Sequence, residues 1–281
     1  MKLGIIGAGK VGVSLGKYFK EHCFDVVGIY SRSPISAKEG AKLIETKYFE
    51  NVKELVVGSD ILFLTVSDQS IKEVWNTVNK FDIRGKIICH CSGALSSDIF
   101  TGIEALGAWG YSLHPILSIN DKATSYKEMK HCHFTLEGSG EKLSTIQRLI
   151  EKLGNKVFIL DKENKARYHC AAIFSSNFMV ALAQISMEVL GKCGFSNEDK
   201  QIFLPLMTVS IKNIIETGTA GALTGPVERN DMETVVSHLS CLDEDEKKIY
   251  TLLSQKLIDI AETKHPKRNY ESLKTRLKGE E

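Results

Sequence analysis

The chain has 281 residues, 43% apolar and 25% charged, the make-up of a water-soluble globular protein of one large or two ordinary domains. Its 36 Lys and Arg nearly balance 35 Asp and Glu, which excludes the broad basic field that draws a protein to nucleic acid or an acidic membrane. Seven scattered cysteines with no signal peptide ahead of them read as reduced thiols in a cytoplasm, and no run of the eighteen or so apolar residues of a membrane span is expected.

Residues 2–6 form a short apolar run that predicts a buried strand. Gly7-Ala8-Gly9-Lys10-Val11-Gly12 follows at once, and residues 13–22 predict a helix. Strand, Gly-x-Gly-x-x-Gly, helix is the opening of a dinucleotide-binding βαβ unit. Gly7 permits the tight turn, Gly9 lets backbone approach a pyrophosphate, and Gly12 lets helix lie close on strand. The residues from Gly9 to Val11 then present free N–H groups and a positive dipole end to the phosphates.

The second strand, residues 26–30, ends in Ser31-Arg32-Ser33. A chain selective for NAD places an acid at about this distance from the glycines, to bind the ribose 2′-hydroxyl. An arginine flanked by hydroxyls fits a 2′-phosphate instead, so NADP(H) is expected over NAD(H), with Ser31, Arg32 and Ser33 as ligands. Residues 60–66 read as a strand buried on both faces. Its end puts Thr65 to Asp68, with Val66 and Ser67 as cofactor contacts, beside the nucleotide. Asp68 also suits an N-cap. Strands at 86–91 and 110–113 end in Ser92-Gly93 and His114-Pro115, and two more follow at 133–137 and 156–160. This alternation of strand and helix predicts an α/β, doubly wound Rossmann sheet over residues 1–161.

After Asp161 only helices are predicted, so residues 162–281 form an all-α domain. Residues 165–193 read as one long helix whose middle is apolar nearly all round, fit for a core or a subunit interface. On an unbroken helix His169 and Asn177 would lie about 80° and about 12 Å apart, able to face one cleft. Residues 199–216 predict a second helix, 218–226 a glycine-rich loop, 231–242 and 243–264 two more helices, and the tail from His265 a solvated end. Thr224 and Arg229 belong to that loop region, where an arginine can clamp a carboxylate or simply form a surface ion pair. Asn230 or Asp231 suits the cap of the following helix, and Asn230 with Glu233 fits a capping box. His238 is a weaker candidate, and His114, held extended by Pro115, is a reserve acid. Neighbouring Cys and His residues at 89–91 and 131–133 point to opposite strand faces, so no metal site is expected.

Five segments occur together in order: GIIGAGKVGVSLG at 4–16, SRS at 31–33, SLHPILSI at 112–119, YHCAAIFSSNFMVAL at 168–182 and LTGPVERNDMETVVSHL at 223–239. The whole resembles a bacterial two-domain family, Rossmann-like plus a helical domain of unknown function. That family is similar to the 6-phosphogluconate dehydrogenase-like group, which includes ketopantoate reductase, β-hydroxyacid dehydrogenases and pyrroline-5-carboxylate reductase. The resemblance implies a helical domain that dimerises and a substrate site between the two domains. Against the ketopantoate reductase pattern, His169 stands at the catalytic lysine position, Ile173 replaces the first asparagine and Asn177 matches the second. The expectation is an NADP-dependent oxidoreductase acting on a carbonyl or imine of a small acid. His169 and Asn177 would be catalytic with His114 in reserve, and Arg229, Ser92 and Thr224 would bind substrate. The rival expectation is a nucleotide-binding sensor that never turns over, motivated by the missing lysine.

Overall fold

The computed structural model describes residues 1–138, 140–196 and 198–279, without the side chains of residues 200 and 201. It divides into two compact units, Met1–Ser176 and Asn177–Glu281.

The first unit is built on one eight-stranded sheet: β1 (Lys2–Ile6), β2 (Asp25–Tyr30), β3 (Tyr48–Phe49), β4 (Ile61–Leu64), β5 (Ile87–His90), β6 (Trp109–Ile116), β7 (His133–Gly138) and β8 (Val157–Ile159). Their spatial order is 3-2-1-4-5-6-7-8. All neighbours run parallel except β6 and β7, which are antiparallel. Helices α1 (Lys10–Glu21), α2 (Pro34–Ile44), α3 (Val52–Gly58), α4 (Asp68–Val78) and α5 (Leu143–Glu151) connect them. Alternating residues feed two cores, as the pleat requires. Ile5, Phe63 and Cys89 pack with Val13, Phe19 and Ile146 on one face, and Leu62, Leu64 and Ile88 with Ile71 and Trp75 on the other. The chain winds outward from β1 in both directions, so the C-terminal ends of β1 and β4 form a topological switch point, where such sheets bind ligands.

The long helix expected from residue 165 is instead two: α6 (Lys165–Ser175) and α7 (Asn177–Lys192). The backbone leaves helical angles at Ser176, with φ −131° and ψ −73°. Ser175 and Ser176 donate to the carbonyls of Ala171 and Ala172, back-bonding that bends helices. The compact division therefore falls at 176/177 rather than 161/162, because α6 is anchored on the sheet by Lys165 and Tyr168. His169 lies on α6 in the first unit and Asn177 opens α7 in the second.

In the second unit, α8 (Leu204–Ala222) starts later than expected and runs through Gly218 and Gly221, foreseen as loop, kinking at Gly218, where φ is +72°; Gly225 stays outside it. Next come α9 (Pro226–Arg229), α10 (Met232–Cys241), α11 (Glu244–Lys264) and α12 (Glu271–Lys278). Asp231, not Asn230, caps α10 by accepting from the Thr234 N–H, while Asn230 takes the left-handed conformation that ends α9. The tail is not a solvated end. Tyr270, Leu273 and Leu277 join Val227, Val235 and Ile258 in a small core. The stretch Lys162–Lys192 is, contrary to the sequence reading, long and apolar enough by length and composition to cross a membrane. Its helix is nevertheless broken at Ser176, and its first half buries Lys165 against the sheet.

Candidate functional site at the carboxyl edge of the sheet

A cavity of about 360 Å³ opens at the switch point, lined by Gly7, Gly9, Ser31, Arg32, Val66 and Ser67, among others. These six are residues expected to hold a nucleotide. Lys10, Val11 and Gly12 form the first turn of α1, whose N-terminus has no side-chain cap. Ser33 is already employed, its hydroxyl capping α2 by accepting from the Ser36 N–H at 3.3 Å. Arg32 reaches Glu73 at 3.4 Å, both side chains being well exposed.

The three glycines are not equivalent. Gly7 has φ +121°, and a Cβ there would meet the Thr65 backbone at 2.8 Å. A Cβ on Gly12 would lie 2.1 Å from the Gly7 carbonyl oxygen and 2.3 Å from Thr65 Oγ1. The fold itself demands both. Gly9 is different: φ is −79°, open to any residue, and a Cβ would approach nothing nearer than the Thr65 carbonyl oxygen at 3.9 Å. Nothing in the protein requires glycine at position 9, whereas a ligand drawn up to the backbone would. The residues present thus fit a dinucleotide pyrophosphate.

Further along the same edge, β5 and β6 carry a dense polar network. His90 is fully buried between the Ser92 N–H, donating to its Nδ1 at 3.2 Å, and the Ser96 carbonyl, accepting from Nε2 at 3.2 Å. Ser92 Oγ donates to Asp68 Oδ2 at 2.7 Å and accepts from the N–H groups of Ala94 and Leu95. Its hydroxyl is therefore occupied in shaping the loop, which argues against the substrate-binding role expected for it. Asp68 is not the helix cap either; Ser67 occupies the N-cap of α4. Buried Glu137 fixes the following turn by accepting from Ser97 N and Oγ at 2.7 and 2.8 Å.

Beneath this loop lies Lys165, which the sequence reading passed over. It is 2% exposed and donates to the Ser92 carbonyl at 3.1 Å and to Ser112 Oγ at 2.7 Å. Burial lowers its pKa to about 8, against the pull of the Glu137 and Asp68 carboxylates. Burial, then the charge of Lys165, lowers His114 to about 4. His114 is thus a neutral imidazole at physiological pH, with Nδ1 2.7 Å from the Tyr168 hydroxyl.

His114 and His169 converge on Gly93, their ring centroids 6.0 Å apart. A Cβ on Gly93 would meet His169 Nδ1 at 2.4 Å and His114 Nε2 at 3.0 Å. His169 Nδ1 is buried with no hydrogen-bond partner among the described residues. Such a nitrogen is costly to leave unmatched and marks a group that calls for a partner.

Lys165 also sets a measurable pH dependence. Its pKa is about 8 in the fold against 10.5 in an unfolded chain, so between those values the unfolded chain binds more protons and stability rises with pH. Denaturant titrations of wild type and Lys165→Met across pH 7.5–10.5 should show wild type gaining on the variant as pH rises, by up to about 3 kcal/mol. Parallel profiles would mean that Lys165 is not buried as a titrating group.

In the second unit, Arg229 is exposed and lies 3.8 Å from Asp231, Thr224 is exposed, and His238 Nδ1 contacts the Tyr250 hydroxyl at 2.9 Å.

Residues 1–115 match the model of a Rossmann-like domain, and residues 132–257 that of a domain of unknown function, DUF2520. A search of curated proteins returns no match. Among solved structures, the chain is similar to a Thermotoga maritima protein at 28% identity and TM-score 0.74, over 93% of this chain and 98% of that one. A Bacteroides fragilis protein named as a candidate NADP oxidoreductase is 23% identical, with TM-score 0.73, over 92% and 98% of the two chains. A reductive aminase from Aspergillus terreus, in complex with NADPH and ethyl-5-oxohexanoate, is 14% identical, with TM-score 0.68, over 97% of both. The chain thus carries, in order, a segment that matches the Rossmann-like domain and a segment that matches DUF2520.

Proposed function

We propose that the protein is an NADP(H)-dependent oxidoreductase that reduces a carbonyl or imine of a small carboxylic acid. The observation that carries this reading is the orphaned, buried Nδ1 of His169 over Gly93, on the same sheet edge as the glycine-loop cavity. A sensor needs the cavity but has no use for an unmatched, buried imidazole nitrogen on the same sheet edge. The Bacteroides and Aspergillus neighbours, named for NADP chemistry, support the cofactor and the reaction class.

When bound, the nicotinamide supplies the hydride. The chain's own groups do the rest. Gly9 and the first turn of α1 hold the phosphates, and Arg32 with Ser31 takes the 2′-phosphate. His169 gives a proton to the oxygen or nitrogen of the reduced bond. His114, kept neutral by burial and by Lys165, accepts or donates through Tyr168. Asn177 as a substrate-orienting group, and Thr224 and Arg229 as carboxylate ligands, are proposed on the resemblance alone. Their variants are to be judged by KM for a carboxylate-bearing substrate.

Titration of the purified protein should give NADPH binding at least about tenfold tighter than NADH, a gap of about 1.4 kcal/mol. Arg32→Ala should close that gap. Keto acids and imines should then drive NADPH oxidation, and His169→Gln should slow it about a hundredfold without weakening NADPH. Tight NADPH binding with no turnover on any carbonyl or imine would favour the sensor. Failure to bind either nucleotide would remove the proposal.

We also propose that two copies associate through the helical unit and that the protein works in the cytoplasm. Helices α7 and α8 expose the large apolar side chains of Phe178, Val180, Leu206, Ile214 and Ile215, the kind of residues a second copy would cover.

A further inference from the structure

We propose that Lys122 is a cofactor ligand, closing over the pyrophosphate from a part of the sheet outside the glycine motif. This rests on the reading of the cavity as a dinucleotide site.

Lys122 lies in the 117–124 connection that follows β6, more than a hundred residues from the glycines, yet it lines the same cavity as Gly7, Gly9 and Arg32. Its loop is built, not loose. Asp121 Oδ1 accepts from the N–H groups of Ala123 and Thr124 at 2.9 and 2.8 Å and from Thr124 Oγ1 at 2.7 Å. The Asp121 N–H donates to Ser125 Oγ at 3.1 Å. The Asp121 carbonyl accepts from the buried Ser14 hydroxyl of α1 at 3.5 Å, which ties the loop to the helix whose N-terminus faces the cavity.

The charge balance then points to an anion. The Asp121 carboxylate is committed to its own turn. Lys122 is half-buried, and no ion pair involves it among the described residues. No carboxylate lines the cavity, while Lys122 and Arg32 both do. A half-buried lysine that makes no ion pair among the described residues, lining one cavity with Gly7 and Gly9 at the foot of α1, fits a phosphate. Attachment to α1 assigns Lys122 to the pyrophosphate at that helix, and Arg32, at the tip of β2, remains the group for the 2′-phosphate. The sequence motif thus supplies the floor of the site and the 117–124 connection its cationic wall.

The test is calorimetric titration of wild type, Lys122→Gln, Lys122→Arg and Arg32→Gln with four probes: NADPH, NADH, ADP-ribose and 2′,5′-ADP. ADP-ribose has the pyrophosphate without the 2′-phosphate, and 2′,5′-ADP the reverse. Lys122→Gln should weaken NADPH, NADH and ADP-ribose alike, by about tenfold, and leave the NADPH/NADH ratio unchanged. Lys122→Arg should restore most of the loss, and the melting temperature in the absence of nucleotide should stay within a degree or two, since the lysine makes no ion pair to lose. Arg32→Gln should weaken only NADPH and 2′,5′-ADP. Unchanged ADP-ribose affinity in Lys122→Gln, with wild type binding tightly, overturns the role of Lys122 alone. Selective loss of 2′,5′-ADP binding in that variant overturns its assignment to the pyrophosphate. A wild type that binds none of the four probes removes the cofactor reading and this inference with it.

Discussion

Gly9→Ala should lose NADPH affinity by about thirtyfold or more, some 2 kcal/mol, while remaining folded; Gly12→Ala should be the reverse case, destabilised before it ever meets nucleotide. The two glycines belong to one motif, yet the space around them differs. A methyl at Gly9 meets nothing closer than 3.9 Å and sits at φ −79°, so the folded chain tolerates it. Its cost to stability is that of replacing a permissive N-cap, about 1 kcal/mol or less. Its cost to binding is a methyl placed where a phosphate must approach the backbone. A methyl at Gly12 meets the Gly7 carbonyl oxygen at 2.1 Å and Thr65 Oγ1 at 2.3 Å. Thr65 Oγ1 donates to that same Gly7 oxygen at 2.9 Å, so neither atom can yield without breaking the turn that forms the cavity. Overpacking of this kind costs about 3 kcal/mol, a fall in melting temperature of roughly 10 °C for a unit of this size. Thermal denaturation with and without NADPH separates the two. Gly9→Ala should melt within a few degrees of wild type alone and gain much less on adding cofactor; Gly12→Ala should melt low in both. A Gly9→Ala protein that NADPH still stabilises as it does wild type would show that the open space at position 9 is not where the pyrophosphate lies.

The strands and the glycine motif were legible because both are local signals. An apolar run followed at once by glycines, or by Ser-Arg-Ser, declares a strand end, and strand ends in this topology meet at one edge. His169 was legible as a polar residue on an early turn of a helix; His114 was expected at a strand tip but lies within β6, which runs on to Ile116 because His114 to Ile116 pair with β7. What could not be read is what depends on distant parts of the chain meeting. Lys165 stands in a run with Lys162 and Arg167, and nothing in that run says which cation is buried; only the docking of α6 on β5 and β6 does. Lys122 sits in a polar connection whose return to α1 leaves no periodic trace. The break at Ser176 was hidden because serines are ordinary residues in helices, and the bend comes from back-bonding that composition does not reveal. The tail is the opposite case. Tyr270, Leu273 and Leu277 carry a helical spacing that was open to inspection, but the charged residues around them made the segment read as solvated.

The apolar faces of α7 and α8 give the second large expected effect. Val180 is 71% and Ile215 78% exposed, so neither supports the fold of its own chain. Aspartate at both positions should therefore leave secondary structure intact and the melting transition of the isolated chain little changed. If two copies bury these faces against each other, the same substitutions place four unpaired carboxylates in one interface. Each loses on the order of 1.5–3 kcal/mol of apolar burial and adds a desolvation cost. Together these exceed what an ordinary dimer can absorb, so the association constant should fall by several orders of magnitude. Sedimentation equilibrium at micromolar concentration should give wild type as a dimer and Val180→Asp/Ile215→Asp as a monomer. A wild type that sediments as a monomer would sink the dimer reading. A dimeric double variant would move the interface off these two helices, to another of the exposed apolar residues such as Leu252 of α11. The outcome bears on chemistry as well as assembly, because an apolar helical face covered only by a second copy makes the stability of this unit, and any site it contributes to, depend on protein concentration.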